Sequence, residues 1–258
     1  MTRCPHNAYR MKKTLLEICA GDIASVTAAA AGGVDRVELC SALSEGGVTP
    51  SAGFIAAACA VGGVRKHVLV RPRGGDFLYT EAEKAVMLAD VARCRDAGAD
   101  GVVVGALQPD GTVDLPFLCR LVEAAGGMSV TFHRAFDLCS DPMFALLVVA
   151  GAGCKRVLTS GQAATAEEGL PLLRSLVEAG RKMGVSVMPG CGVTPENARR
   201  IVDATGAEEI HASARAAVAS GMTFRRGGVG MGLPGTDEYS RKETSPAVVR
   251  AIVDALRG

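Results

Sequence analysis

The chain has 258 residues, of which 48% are hydrophobic, and its formal net charge is +1. A domain of this length buries roughly three quarters of its unfolded surface, so it needs no covalent staple. The near-neutral charge, the three tyrosines and the absence of tryptophan argue against nucleic acid and membrane surfaces as partners. We therefore expect one globular domain without a membrane span, because no apolar run reaches ~18 residues.

The first twelve residues are polar and mixed in character, which predicts a short disordered extension over 1–12 and a folded domain over 13–258. The nine cysteines are an odd number, and no two of them have a Cys-x-x-Cys spacing. This pattern disfavours both a zinc ribbon and a disulfide framework. A reducing, cytoplasmic location is the prediction.

Four short segments of the chain share one pattern. Each begins with a glycine, continues with an apolar and then a charged residue, and leads into a run of mostly β-branched apolar residues. The segments are GVDRV (33–37), GADGV (98–102), GCKRV (153–157) and GAEEI (206–210). Glycine suits the position just after a helix, where the backbone turns left-handed. Their glycines, at positions 33, 98, 153 and 206, are 65, 55 and 53 residues apart. Each interval is about twice the ~30 residues of one strand-helix unit. Four such segments predict eight units, which is a single (β/α)8 TIM barrel.

The eight predicted strands are near-continuous apolar runs, as expected for strands covered on both faces. Helix starts are indicated by Asp141-Pro142, Thr194-Pro195 and Ser245-Pro246, where a capping side chain precedes proline. Asp110-Gly111 predicts a tight turn after the fourth strand. The predicted strands cover 14–19, 36–39, 67–71, 101–104, 129–133, 156–159, 185–188 and 209–212.

The segment from Gly221 to Glu243 is long, rich in glycine and without a clear period. It follows the eighth strand, so we place it on the face of the barrel that carries function. Loops of this length are usually functional or mobile. We expect either a mobile loop or a contact with another subunit.

Polar side chains collect at the carboxyl ends of the predicted strands, where barrel enzymes hold their active sites. Under an enzyme hypothesis, His133 exchanges a proton near neutral pH, and Glu17 or Glu38 orients it or acts as the opposing base. Asp137 is a further candidate if its loop folds inward. The alternative for these groups is a buried ion-pair network that only holds the barrel together.

A small anionic ligand is a second expectation, because glycine-bearing turns expose backbone N–H groups and arginines clamp carboxylates or phosphates. Arg71 and Arg73 would form the clamp. The turns after the sixth, seventh and eighth strands complete the predicted anion site. The residues in these turns are Ser160, Gly161, Gly190, Gly192 and His211.

Cys19 and Cys40 follow neighbouring strands, so their sulfurs are expected to lie near each other. Two thiolates form a soft pair that suits Cu(I) or zinc. The alternative is two free, partly buried thiols, and spacing alone favours neither reading.

Taken together, these residues resemble the CutC family of copper homeostasis proteins. The similarity extends in order from about Leu15 to the C-terminal helix. The matching segments are LEIC (16–19), DRVELC (35–40), EGGVTPS (45–51), RPRGGDFLY (71–79), VTFHRAFD (130–137), RVLTSG (156–161) and DEYS (237–240).

The resemblance implies a cytoplasmic (β/α)8 barrel that forms a homo-oligomer, a dimer or tetramer, and handles copper by binding Cu(I). The family's candidate copper-binding thiols correspond to Cys19 and Cys40. This chain departs from the family at Cys191, where relatives commonly have glycine, and at Ala212, where serine or cysteine is frequent. Two hypotheses follow: a Cu(I)-binding protein, or a barrel enzyme acting on a small phosphorylated or carboxylate metabolite.

Overall fold

A computed structural model describes residues 13–231 and 237–258. The predicted extension over 1–12 lies outside the described residues, as does 232–236 within the glycine-rich segment. Eight parallel strands alternate with eight helices, in the sheet order β7-β6-β5-β4-β3-β2-β1-β8. The predicted (β/α)8 barrel is confirmed. Its strands are β1 Leu15–Ala20, β2 Arg36–Leu39, β3 Arg65–Leu69, β4 Gly101–Val104, β5 Ser129–Phe132, β6 Arg156–Thr159, β7 Ser186–Pro189 and β8 Glu209–Ala212.

The helices surround the barrel and pack their apolar faces on the strands. Asp141 and Ser245 cap their helices as predicted, each accepting a hydrogen bond from a first-turn N–H. Thr194 does not, because the Asn197 side chain accepts from its N–H at 2.8 Å and helix α7 begins only after that turn. The helices are α1 Ile23–Ala31, α2 Ala52–Cys59, α3 Glu81–Asp96, α4 Leu115–Ala125, α5 Pro142–Gly151, α6 Leu170–Met183, α7 Ala198–Thr205 and α8 Pro246–Arg257.

The four glycines that predicted the repeat all have positive φ, between +71° and +93°. Each lies at the end of a helix, where a side chain would strain the backbone. Asp110 and Gly111 form the predicted turn, closed by an antiparallel bridge between Leu107 and Val113. These turns set the spacing of the strand-helix units.

The segment after β8 differs from the expected loop, because part of it forms a two-stranded antiparallel hairpin. Strand β9 (Arg215–Ala219) pairs with β10 (Ser240–Thr244), and the backbone N–H of Thr244 donates to Ser25 Oγ at 3.0 Å. Ser25 lies at the start of α1, beside the carboxyl end of β1. The hairpin therefore lies at the functional end of the barrel, and of the segment expected as a loop only residues 240–243 belong to its strands.

The interior of the barrel holds a charged layer. The guanidinium of Arg36, 1% exposed, contacts Glu17 and lies 2.5 Å from Glu209 and 3.3 Å from the sulfur of Met188. Arg156 bonds both oxygens of Glu209, at 2.6 and 3.0 Å. Strands β1, β2, β6, β7 and β8 are thus connected through side chains inside the barrel.

The first testable prediction concerns this layer. Arg36→Met keeps the side-chain bulk but leaves the buried Glu17 carboxylate without its guanidinium and weakens the pairing of Glu209. We expect the free energy of unfolding to fall by about 3–5 kcal/mol, measured by urea unfolding followed by circular dichroism. Lys182→Met, which breaks an exposed pair with Glu178, is the control and should cost less than about 1 kcal/mol. Equal urea midpoints for the two variants would contradict the assignment.

Candidate functional site

A cavity of about 470 Å³ opens at the carboxyl ends of the strands. Its floor is formed by side chains that project inward from the ends of β1, β2, β3, β6 and β8. Of the predicted site residues, the cavity lining includes Cys19, Glu38, Cys40, Arg71, His133, Gly192 and His211.

The two predicted copper-binding cysteines meet at this floor. Cys19 projects inward from β1, two residues after Glu17, and Cys40 directly follows β2. Their side chains are 6% and 1% exposed, and they pack with Leu69 and Val103 in a small apolar cluster. The neighbouring Cys40 thiol lowers the pKa of Cys19 well below its usual value, and the same pairing raises the pKa of Cys40. The Cys40 sulfur lies 3.8 Å from the Ala20 carbonyl oxygen and 3.7 Å from that of Glu38. This arrangement favours ionisation of Cys19 over that of Cys40.

His211 lies beside the thiol pair and carries a positive charge. Its Nδ1 donates to Glu17 Oε1 at 2.8 Å, and its Nε2 is 3.8 Å from Glu38 Oε2. Burial alone would lower the pKa of His211, but the hydrogen bonds with Cys19 and Glu17 outweigh burial and raise it well above the usual value. The imidazolium therefore stabilises the thiolate, while itself being held by a carboxylate.

The two glutamates have opposite charge states. Burial raises the pKa of Glu38 to about 8, against the opposing charge of His211, so this side chain is mostly protonated at pH 7. Burial also acts on Glu17, yet Arg36 and His211 hold its pKa well below the usual range. Glu17 is thus an ion-pair partner, and Glu38 is a neutral hydrogen-bonding group at the cavity wall.

His133 is buried and does not behave as the expected proton-exchanging group. Its Nδ1 accepts a hydrogen bond from the Ala135 N–H at 3.1 Å, and its ring lies 4.9 Å from that of Phe77. Burial, reinforced by the charge of Arg71, lowers the pKa of His133 to about 3. The imidazole is therefore neutral across the physiological range.

The two arginines of the predicted clamp are separated. The Arg71 guanidinium lies at the cavity wall and donates to the carbonyl oxygens of Glu45, Gly47 and Gly75 at 2.7–3.0 Å. Arg73 lies outside the cavity lining, where it pairs with Asp76 and Glu83 at 3.1 and 2.5 Å. Arg73 therefore orders its own loop.

The turn after β6 already contains an anion, and that anion is the side chain of Asp137. Its carboxylate accepts from the backbone N–H groups of Ser160 at 3.0 Å and Gln162 at 3.2 Å, and pairs with Arg134 at 2.7 Å. The N–H of Gly161 donates to Thr159 Oγ1 instead. The structure therefore leaves neither Asp137 nor these N–H groups facing the cavity.

The turn after β7 is open. Gly190 donates its N–H to the Thr159 carbonyl at 3.0 Å, but the next residues line the cavity. Cys191 and Gly192 have φ of +80° and +72°, so this cysteine occupies a backbone conformation that favours glycine. The Cys191 sulfur contacts the Ala164 carbonyl oxygen at 3.2 Å. No group of three or more metal-ligating side chains occurs in the part of the chain that is described.

Arg134 and Arg215 are cavity residues that were not among the predicted site residues. Arg215 opens β9, and its charge helps to lower the pKa of Cys19, after the hydrogen bonds and His211. The sequence did place Arg215 only four residues after His211, just beyond the end of β8, which puts it at the end of the barrel that holds the site. The period-2 rule for strands does not extend past a strand end, so it could not place this side chain.

The thiolate of Cys19 gives the second prediction. Ultraviolet absorbance near 240 nm should show one thiolate at pH 7, titrating well below the range of a free cysteine because the folded pKa is lowered. Cys19→Ser should abolish this signal, whereas the control Cys191→Ser should keep it. A native protein without thiolate absorbance at pH 7 would rule out the proposed charge state.

Comparison with known proteins agrees with this geometry. A sequence profile of the CutC family matches residues 14–216. The chain is 54% identical to the family protein CutC of Chromobacterium violaceum, over 94% of this chain and 98% of the relative. It is 46% identical to the human copper homeostasis protein cutC homolog, over 92% of this chain and 87% of the relative.

The fold agrees as well. The crystal structure of the protein assigned as copper homeostasis protein CutC in Streptococcus agalactiae superposes with a TM-score of 0.74. It is 32% identical in sequence, and the match covers 78% of this chain and 98% of that one. The same conclusion follows from the seven matching sequence segments, from the family profile and from the shared barrel fold. The chain belongs to the CutC family.

Proposed function

We propose that this protein acts in copper homeostasis by binding Cu(I) through Cys19 and Cys40. The observation that carries the proposal is the placement of two buried cysteines side by side at the floor of the cavity. Soft sulfur ligands select Cu(I) over harder divalent ions. The names of the relatives, which refer to copper homeostasis, support the same function.

The surroundings of the pair suit a copper ion bound by two sulfurs. Two thiolates and one Cu(I) carry a net charge of −1, and the neighbouring His211 is positively charged. Arg215 adds a second positive charge to the same region. These cations offset the charge that the second deprotonation creates in a buried site. Because the cavity opens to solvent at its mouth, copper would be the cargo of this site and would exchange through that opening.

The third prediction tests the two ligands. Cu(I) affinity, measured by competition with a chromophoric chelator under reducing conditions, should fall at least about a hundredfold in Cys19→Ser and in Cys40→Ser, or about 3 kcal/mol. Cys191→Ser is the control for loss of a cavity thiol and should bind normally. Unchanged affinity in the double serine variant would remove the assigned site, and a loss confined to Cys191→Ser would move it to the turn after β7.

The charge states of the pair give a fourth prediction. The pKa of Cys19 is lowered and that of Cys40 is raised, so we expect Cys40 to be the cysteine that loses a proton when copper binds. Binding through both sulfurs therefore releases one proton, and the affinity should rise about tenfold per pH unit near neutrality. A dependence of about a hundredfold per pH unit would show that both thiols begin protonated, which contradicts the thiolate assignment.

We also propose that the protein is a cytoplasmic homo-oligomer, a dimer or tetramer, as the resemblance implies. Across 13–231 and 237–258, no helix combines the length and apolar character of a membrane span. Free cysteines suit a reducing compartment, and cell fractionation tests this location. The segment after β9 exposes apolar side chains that provide a self-association surface: Met222, Phe224, Val229 and Met231.

The fifth prediction concerns that surface. Sedimentation velocity should show an oligomer for the native protein and a smaller species for the Phe224→Ser, Met231→Ser double variant. Leu138→Ser removes an exposed apolar side chain elsewhere and should leave the native species unchanged. A monomeric native protein, or an oligomer insensitive to the double variant, would contradict the proposal.

A further inference from the structure

We propose that the cavity also binds a small organic anion beside the thiol pair, with its carboxylate or phosphate group held by Arg215 and the turn after β7, and with Arg71 adding positive charge from the end of β3. This site is independent of copper and goes beyond the copper-binding function. It also differs from the anion site expected from sequence, because Arg73 and the turn after β6 take no part in it.

The first observation is that the cavity has hydrogen-bond donors without acceptors. Three buried side-chain nitrogens of the cavity lining have no partner among the described residues: Arg71 Nε, His133 Nε2 and Arg215 Nε. Because His133 Nδ1 accepts from a backbone N–H, the proton of the neutral ring is assigned to Nε2. All three atoms are therefore donors. A buried donor without a partner is costly, so the missing component is an acceptor.

The second observation is the charge of this wall. Arg71 is 6% exposed, and its guanidinium donates to carbonyl oxygens and lies over the Phe77 ring, with no carboxylate of the described chain bridging to it. Arg215 likewise has no carboxylate partner within the ranges described. Two arginines of the cavity lining thus have no carboxylate partner among the described residues, which favours an anionic ligand.

The third observation is a contrast between two turns of the same barrel. The turn after β6 directs its backbone N–H groups at an internal carboxylate, that of Asp137. In the turn after β7, the N–H groups of Cys191, Gly192 and Val193 have no acceptor among the described residues. Successive N–H groups in left-handed turns form anion-binding concavities. The first turn is filled by the chain itself, and the second faces the cavity.

The remaining walls define the body of the ligand. Leu43, Leu69, Phe77, Leu158 and Val193 give the cavity an apolar lining. A volume of about 470 Å³ is much larger than a copper ion with two sulfurs requires. Ligand pockets of this kind combine an apolar lining with a few polar groups that fix orientation. The ligand class is therefore a small organic anion, with an oxyanion head and an apolar body about the size of an aromatic ring.

The experiment uses isothermal titration calorimetry on the copper-free, reduced protein. The probes are phenyl phosphate and benzoate as anions with an apolar body, inorganic phosphate as the head group alone, and benzamide as the neutral analogue. We expect at least one aromatic anion to bind, and to bind more tightly than inorganic phosphate and benzamide. The two aromatic anions distinguish a phosphate from a carboxylate head.

The variants test the location. Arg215→Gln should weaken binding of the aromatic anion about tenfold, because one charge-assisted contact is lost. Arg241→Gln is the matched control, since it removes an arginine from β10 of the same hairpin, where that side chain is exposed and pairs with Glu243. It should bind like the native protein. Equal losses in both variants, equal binding of benzamide, or no binding of either aromatic anion would overturn the proposal.

The Cys19→Ser, Cys40→Ser double variant separates this proposal from the copper site. It should lose Cu(I) binding and still bind the aromatic anion, because no cysteine side chain is among the proposed anion contacts. Weaker anion binding in this variant would overturn the anion site. Failure of Cu(I) binding in the native protein would leave the anion result unaffected.

Discussion

The buried contacts of Arg36 with Glu17 and Glu209 are the interaction on which the rest of the structure depends. Among the described residues, β7 and β8 lie side by side without a backbone ladder, so the sheet is not closed by hydrogen bonds alone. Arg36 contacts both strands through Met188 and Glu209, and Arg156 connects β6 to β8 across β7. Side chains inside the barrel thus replace the missing ladder.

The same network sets the electrostatics of the site. One oxygen of Glu17 binds Arg36 and the other binds His211, whose pKa is raised by the neighbouring Cys19 and Glu17. Positive and negative groups therefore alternate from the middle of the barrel to its mouth. Glu17 serves both folding and the site, because its ionised state is needed for the ion pair and for the positive charge of His211. The stability of the barrel and the reactivity of its thiols are consequently coupled.

The sequence predicted the barrel because helix-end glycines recur at intervals of two units, and it predicted Cys19 and Cys40 because neighbouring strand ends must lie together. It placed Asp137, Ser160 and Gly161 at the correct end of the barrel. It could not show that this aspartate fills that turn, since the pairing depends on loop geometry over more than twenty residues. The sequence wrongly placed Arg73 in the cavity and missed Arg215 there for a similar reason. Beyond the end of a strand, no period in the sequence indicates which way a side chain points.

The charged layer beneath the cavity also limits how an ion can enter and leave the protein. Arg36 and Glu17 are each 1% exposed, so within 13–231 and 237–258 this charged layer blocks the barrel interior beneath the cavity. An ion that enters through the mouth has to leave by the same route. If the floor thiols bind copper as proposed, a donor and a recipient would use the same opening in turn, and the protein would hold the ion between two separate encounters.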